Sequence, residues 1–417
     1  MINFNRFKLE NGLTVLVHED HTTAMAVVNI LYKVGARDES PEQTGFAHLF
    51  EHLMFGGSIN IPNYDAPLQS VGGENNAFTS NDITNYYITL PSNNLETAFW
   101  LESDRMLSLA FSDQSLEVQR QVVCEEFKQR YLNQPYGDVW LKLRPLAYKV
   151  HPYRWATIGK ELKHIEDAKM EDVKAFFQKF YTPQNAIMVV AGDVNLEEVK
   201  SLATKWFGDI PSGNLYERNL PQEPKQQVAR QEWVEAEVPV DALYIAFHGP
   251  ERVSTDYYVT DLISDLLSRG SSSRLYRSLV KENQLFSEIN AYMMGSIDTN
   301  LFVVEGKPLP HVSLEEAEQH IWTQLEKLKT EKVADNELQK VKNKVESTMQ
   351  FAELSILDKA MNLAFFEMVS QAEDYNKEVS NYEAVNADDI YRVANTLFTK
   401  ENSSTLFYKS KAKDNVE

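Results

Sequence analysis

Two histidines and a glutamate, His48, Glu51 and His52, form an H-x-x-E-H string inside the stretch GFAHLFEHLMFGGS, residues 45–58. The flanking residues are apolar at helical spacing, so the string reads as part of a helix. Residues four apart on a helix lie one above the other on the same face. His48 and His52 can therefore turn imidazole nitrogens toward a single ion. Two neutral imidazoles from one turn begin a zinc site, and a carboxylate on the adjoining side, Glu51, can serve as general base to an attacking water. An amphipathic core helix with two hydrogen-bonded histidines would present the same residues without the chemistry. A catalytic zinc site ordinarily takes three protein ligands and keeps the fourth position for water. Residues 116–132, LEVQRQVVCEEFKQRYL, read as a second helix, capped by Ser112 or Ser115. On it Glu125 and Glu126 stand beside Val122, Val123 and Phe127, where a carboxylate on an apolar face needs a partner. Spacing alone does not choose between them, and an exposed acidic edge accounts equally for the pair.

Several elements must position these residues. Residues 12–18 and 24–33 are β-branched and apolar about a polar turn, and read as a hairpin. After a loop at 35–39, Ser40-Pro41-Glu42-Gln43 offers a capping residue, a Pro at the first helical position and a Gln three residues after the cap. The motif helix then stops at Gly56-Gly57. A Gly-containing loop, residues 71–80, leads to a strand at Thr84–Pro91. Helices at 95–110 and 115–132, more helix through 160–180, a buried strand at Ala186–Gly192 and a helix at 196–207 complete the first half. Residues 210–231 are rich in Pro, Gly, Asn and charge and mark a linker. The second half repeats the order of elements. Strands lie in 233–247, helices at 255–267 and 274–281, a strand pair in 289–305, long helices at 313–331 and 335–370, a helix at 386–397 and a last strand at 405–408. No second H-x-x-E-H occurs. Strands grouped before helices predict an α+β fold of two structurally similar domains, each a mainly antiparallel or mixed sheet with helices packed on it. The expected division is a zinc-binding domain at 1–212, a linker at 213–231 and a related non-catalytic domain at 232–417.

Composition sets outer bounds. A chain of 417 residues exceeds one ordinary core. The formal net charge of −20, from 41 basic and 61 acidic residues, argues against nucleic-acid backbones and anionic membranes as partners. No apolar run of about 18 residues is present to span a membrane. The N-terminus has no basic segment followed by an apolar stretch, so the expected location is the cytoplasm, or the chain is one whose leader has been removed. Cys124 is the only cysteine, which excludes an intrachain disulfide and a thiolate metal cluster.

GFAHLFEHLMFGGS, GGENNAFTSNDITNYYITLP, QRQVVCEEF and AIMVVAGDV together resemble the pitrilysin-type zinc metallopeptidases, the inverzincins of the H-x-x-E-H signature. That family includes mitochondrial processing peptidase and insulin-degrading enzyme. The resemblance covers the first half, and the second half more loosely through LLSRGSSSRLYRSLVKENQL. At this length the chain is similar to the short, subunit-type members, such as beta-like processing peptidase chains and bacterial relatives, whose working particle is two chains. The resemblance implies one zinc per chain, with His48 and His52 as ligands and Glu51 as base. In the family's downstream helix two glutamates stand seven apart and the second binds zinc. Aligning residues 120–123 places that ligand at Glu126, with Glu125 in reserve. The first glutamate falls on Gln119, a departure that removes a negative charge from behind the ligands. Asn76 and Ala77 match the edge-strand residues that hold the substrate backbone, where main-chain bonds read length and shape more than sequence. A second departure lies in the C-terminal half. The family carries an Arg and, seven residues later, a Tyr; Val280 and Ser287 occupy those places, and Arg277 and Tyr292 are near but off the spacing. The implied function is a zinc-dependent endopeptidase cleaving peptides bound as an extended edge strand in an enclosed chamber. The implied partner is a related chain that supplies Arg and Tyr in a heterodimer, or, in the alternative, a second copy with Tyr292 filling the role. A non-catalytic scaffold subunit is the alternative of another class, and intact His48, Glu51 and His52 argue against it. A different zinc hydrolase is a third, against which the edge-strand motif argues.

Overall fold

The structure, a computed structural model, describes residues 1–411. Its strands are β1 (Asn5–Lys8), β2 (Thr14–Glu19), β3 (Met25–Tyr32), β4 (Glu74–Thr79), β5 (Thr84–Pro91), β6 (Ala186–Gly192), β7 (Arg230–Ala236), β8 (Ala242–Gly249), β9 (Phe286–Met293), β10 (Asn300–Pro308) and β11 (Ser403–Ser410). The helices of the first half are α1 (Phe46–Leu53), α2 (Asp65–Ser70), α3 (Leu95–Leu107), α4 (Asp113–Phe127), α5 (Val139–Ala147), α6 (Leu162–Glu166), α7 (Met170–Phe180) and α8 (Leu196–Phe207). Those of the second are α9 (Thr255–Ser268), α10 (Leu314–Thr330), α11 (Asp335–Ala352), α12 (Ile356–Val369), α13 (Glu378–Ala384) and α14 (Ala387–Leu397).

The strands form two sheets, in the orders β1-β2-β6-β3-β5-β4 and β7-β11-β8-β10-β9. The β2–β6 and β7–β11 pairs are parallel and every other pair is antiparallel. Set β1 aside and the two sheets have the same order and the same sense of pairing. The repeat of element order is therefore a repeat of architecture, and the chain is α+β with two similar domains.

The expected hairpin of the first two strands does not form. β2 and β3 are separated by β6, which runs parallel to β2 and antiparallel to β3. The reason lies in β6 itself: AIMVVAG is buried at every residue, a continuous apolar run of the kind that suits a strand covered on both faces. A β2–β3 hairpin would leave that run at an edge. The helix expected across 335–370 is likewise broken at 353–355, where Ser355 caps α12 by accepting from the Asp358 N–H at 3.1 Å. The helix expected to reach residue 132 ends as an α-helix at Phe127 and continues as a wider π-type turn over Lys128–Leu132.

By contacts the described residues form two units, 1–129 with 155–220 and 350–377, and 130–154 with 221–349 and 378–411. The contiguous division expected at 1–212 and 232–417 differs from this grouping at two exchanged segments. α12 belongs to the first unit, packed on β3 and β6 with Ala360, Leu363 and Ala364 fully buried. α5 belongs to the second, its Val139, Leu143 and Ala147 packed with Ala242, Tyr244, Ala246, Leu301 and Val303. Burying a Val or Leu side chain stabilises by about 1.5–3 kcal/mol, which holds helices too short to persist alone.

Candidate metal centre

α1 carries the H-x-x-E-H string, and its own start cannot be capped locally. The N-cap is Gly45 at φ +88°. A Cβ there would lie 2.6 Å from the Ile158 carbonyl oxygen, so no Ser, Asp or Asn fits. The acceptor comes instead from Glu39, whose two carboxyl oxygens take the N–H groups of Gly45 at 2.9 Å and Ala47 at 2.8 Å. This replaces the Ser40-Pro41 start expected from the sequence, since Ser40–Gln43 closes a separate turn ahead of the helix. Burial pushes the Glu39 carboxyl up to about 8, against the opposing pull of the two amides.

One face of α1, with Phe46, Ala47, Leu49, Phe50 and Leu53, is buried. Phe50 stacks on Phe176 at 4.9 Å and on Tyr181 at 5.2 Å. Tyr86 donates its hydroxyl to the Phe50 carbonyl at 3.4 Å. Beneath lies Arg105, 1% exposed, forked onto Glu102 at 2.6 and 3.1 Å and lying 4.4 Å from the Tyr86 ring centre. The opposite face is half-buried and presents His48, Glu51 and His52.

α4 packs against α1 through a side that buries Leu116, Val123, Cys124 and Phe127. That packing brings Glu126 to the histidines: its Oε2 lies 3.7 Å from His48 Nε2 and 3.5 Å from His52 Nε2. The three ligand atoms all lie within 4.8 Å of one another, and the imidazole planes stand at 88°. A tetrahedral zinc with bonds of about 2.0–2.2 Å sets its ligand atoms roughly 3.3–3.6 Å apart. The two carboxylate–imidazole separations lie at or near that range, and two imidazole nitrogens with one carboxylate oxygen are the donor types zinc takes. Glu125 faces away, exposed and paired with Lys128 at 2.7 Å. Gln119, seven residues ahead of Glu126 on the same helical face, is half-buried. Burial also pushes the Glu51 carboxyl up; Glu126 adds to the rise, while Thr79 and His52 oppose it.

Thr79 ends β4, the outer strand of its sheet, which among the described residues pairs only with β5. Asn76 stands opposite Tyr87 and Ala77 opposite Tyr86. Side chains alternate along a strand, so Asn75 and Ala77 share the face of Thr79, and these three are half-buried while Glu74, Asn76 and Phe78 are exposed. The Ala77 N–H meets the Asn76 side-chain oxygen at 2.8 Å rather than β5, so it faces the open edge.

In the second unit, Val280 packs on the apolar core and Ser287 donates to the Lys307 carbonyl at 3.1 Å. Arg277 is paired with Glu282 at 2.8 Å, and Tyr292 donates to Glu305 at 3.0 Å. Sequence reasoning missed Glu39, Thr79 and Tyr86. The signal for Glu39 was present: a glycine N-cap has no side chain, so the acceptor had to come from elsewhere.

A family model described as insulinase (peptidase family M16) matches residues 14–148, and one described as peptidase M16 inactive domain matches residues 167–345. The chain is 33% identical over 416 residues to the zinc protease PqqE of Helicobacter pylori, covering 96% of this chain and 91% of that one. The crystal structure of a protease from Helicobacter pylori superposes with a TM-score of 0.92 at 31% identity, over 98% of this chain and 100% of that one. Mitochondrial-processing peptidase subunit beta of Saccharomyces cerevisiae is 28% identical over 258 residues, 60% of this chain and 55% of that one. A likeness that runs along nearly the whole sequence, and takes in both the α1–α4 pair and the repeated sheet, leaves one conclusion: the chain belongs to the peptidase M16, or insulinase, family.

Proposed function

We propose that the chain is a zinc-dependent endopeptidase whose substrates are peptides added as an extended strand to β4. The observation that supports this is the convergence of His48, His52 and Glu126, with Glu51 on the same helix face and Thr79 of an open edge strand against it. His48, His52 and Glu126 would hold one zinc per chain. When bound, zinc supplies Lewis acidity, polarising a peptide carbonyl and lowering the pKa of a water toward about 7. Ala77 holds the substrate backbone by main-chain hydrogen bonds at the edge, with the exposed Asn76 side chain beside it. Glu51 takes a proton from the attacking water and delivers it to the leaving amine. Glu51→Gln is expected to keep zinc and fold while peptide hydrolysis falls by roughly 10²–10⁴-fold or more. A zinc-loaded Glu51→Gln protein with parental turnover would end this assignment.

The second half bears on partnership. Val280 is committed to the core and the Ser287 hydroxyl to a backbone carbonyl, so neither supplies the guanidinium and phenol that the family uses. A heterodimer with a related chain that provides Arg and Tyr, enclosing the substrate in a chamber, meets that need. The relative named as a subunit supports it. A homodimer using Tyr292 is the lesser reading, because that phenol is already held by Glu305. A scaffold role has no need of the zinc and predicts no hydrolysis in any pairing.

A further inference from the structure

We infer that Glu39 is a positioning residue, whose carboxyl seats the metal-binding helix at a fixed place relative to the substrate-holding edge. The inference rests on the metal-site reading above and on three observations.

First, α1 is eight residues long and begins at a glycine that no capping side chain can replace. A helix start leaves several N–H groups without partners, and here Glu39 takes two of them from six and eight residues away. Second, Glu39 is 7% exposed, so its contacts are shielded from competing water. Third, the loop that carries it is joined to the turn directly after β4. The Ala36 N–H donates to the Ser80 carbonyl at 3.2 Å and the Arg37 N–H to the Asn81 carbonyl at 2.9 Å. The Arg37 guanidinium also pairs with Asp82 at 3.0 Å, both side chains buried. The loop is thus bonded by its backbone to the end of the edge strand and by its last side chain to the helix that bears His48 and His52. A cap serving helix stability alone would need only the second connection. With both, a change at Glu39 moves the histidines relative to Glu126 and to Ala77.

The test compares the full chain with Glu39→Gln and Glu39→Asp. Gln preserves size but turns an amide NH₂ against one of the two N–H groups. Asp preserves both oxygens on a stem one methylene shorter. Zinc affinity is read by competition with a chromophoric chelator, ligand geometry by the visible spectrum of the Co(II)-substituted protein, and local order by amide exchange of the metal-free protein. Zinc binding is expected to weaken by about 10–100-fold, the range for losing groups that orient ligands. The Co(II) spectrum should shift, and faster exchange should be confined to residues 45–53. Unchanged zinc affinity in both variants, or loss of structure throughout the first unit in both, would overturn the inference. If the parent binds no zinc, or His52→Ala binds it as well as the parent, the metal site itself falls and this inference with it, a result distinct from the other two.

Discussion

Glu125 and Glu126 are adjacent, chemically identical and placed in opposite surroundings. Glu126 turns toward two imidazoles, whereas Glu125 turns to solvent and an exposed lysine. A single residue step on a helix rotates the side chain by about 100°, which separates a candidate ligand from a surface charge. Glu126→Gln is therefore expected to lose zinc and Glu125→Gln to keep it, as measured by elemental analysis of the purified proteins. Equal zinc contents in the two variants would mean that α4 presents the wrong carboxylate. His52→Ala should also lose zinc, since the remaining two ligands leave the ion with too few protein donors.

At the scale of elements, α5 shows how a helix from one half is fixed in the other unit. The carbonyls at its C-terminal end are each met by a side-chain N–H donor: Pro145 by Lys149 at 2.8 Å, Leu146 by Arg230 at 3.1 Å and Ala147 by His248 at 3.0 Å. Beyond the helix, the N–H groups of Lys149, Val150 and His151 all donate to Glu223 from the segment that leads into β7, at 2.7–2.9 Å. His248 stacks on Tyr148 at 5.3 Å, and burial pushes its pKa down, with Glu223 opposing. An unfolded histidine titrates near about 6.5. The folded form binds its proton less readily, so this group's contribution to stability is full above that pH and is lost as pH falls toward the lowered folded value. The unfolding midpoint of the parent should consequently fall more steeply between about pH 8 and pH 5 than that of His248→Gln. Parallel pH profiles would remove His248 as the source.

For the whole molecule, each unit closes a sheet on both faces, and each does so with a helix taken from the other half of the sequence. Cutting the chain at the linker would strip α12 from the first sheet and α5 from the second. The absent Arg–Tyr pair sets a second expectation at this scale. Losing one donor aimed at a developing oxyanion costs about 10²–10³ in rate, so the chain alone should hydrolyse peptides poorly. Adding a related chain that carries Arg and Tyr in its second half should raise the rate by that order. Full activity from this chain alone, unchanged by the addition, would defeat the heterodimer reading.

Much of this protein follows from local spacing. The i, i+4 placement of His48 and His52, the apolar face opposite them, the Thr84–Pro91 strand and the α+β grouping are periodicities of a few residues, and the fold realises each. What spacing does not carry is which distant surface meets which. The position of β6 between β2 and β3, the exchange of α5 and α12 and the cap that Glu39 gives α1 depend on burial and backbone satisfaction across long stretches of chain. The side on which Glu126 meets the histidines belongs with them: the resemblance pointed to Glu126, but which of two carboxylates of equal chemistry faces α1 depends on how α4 packs against it.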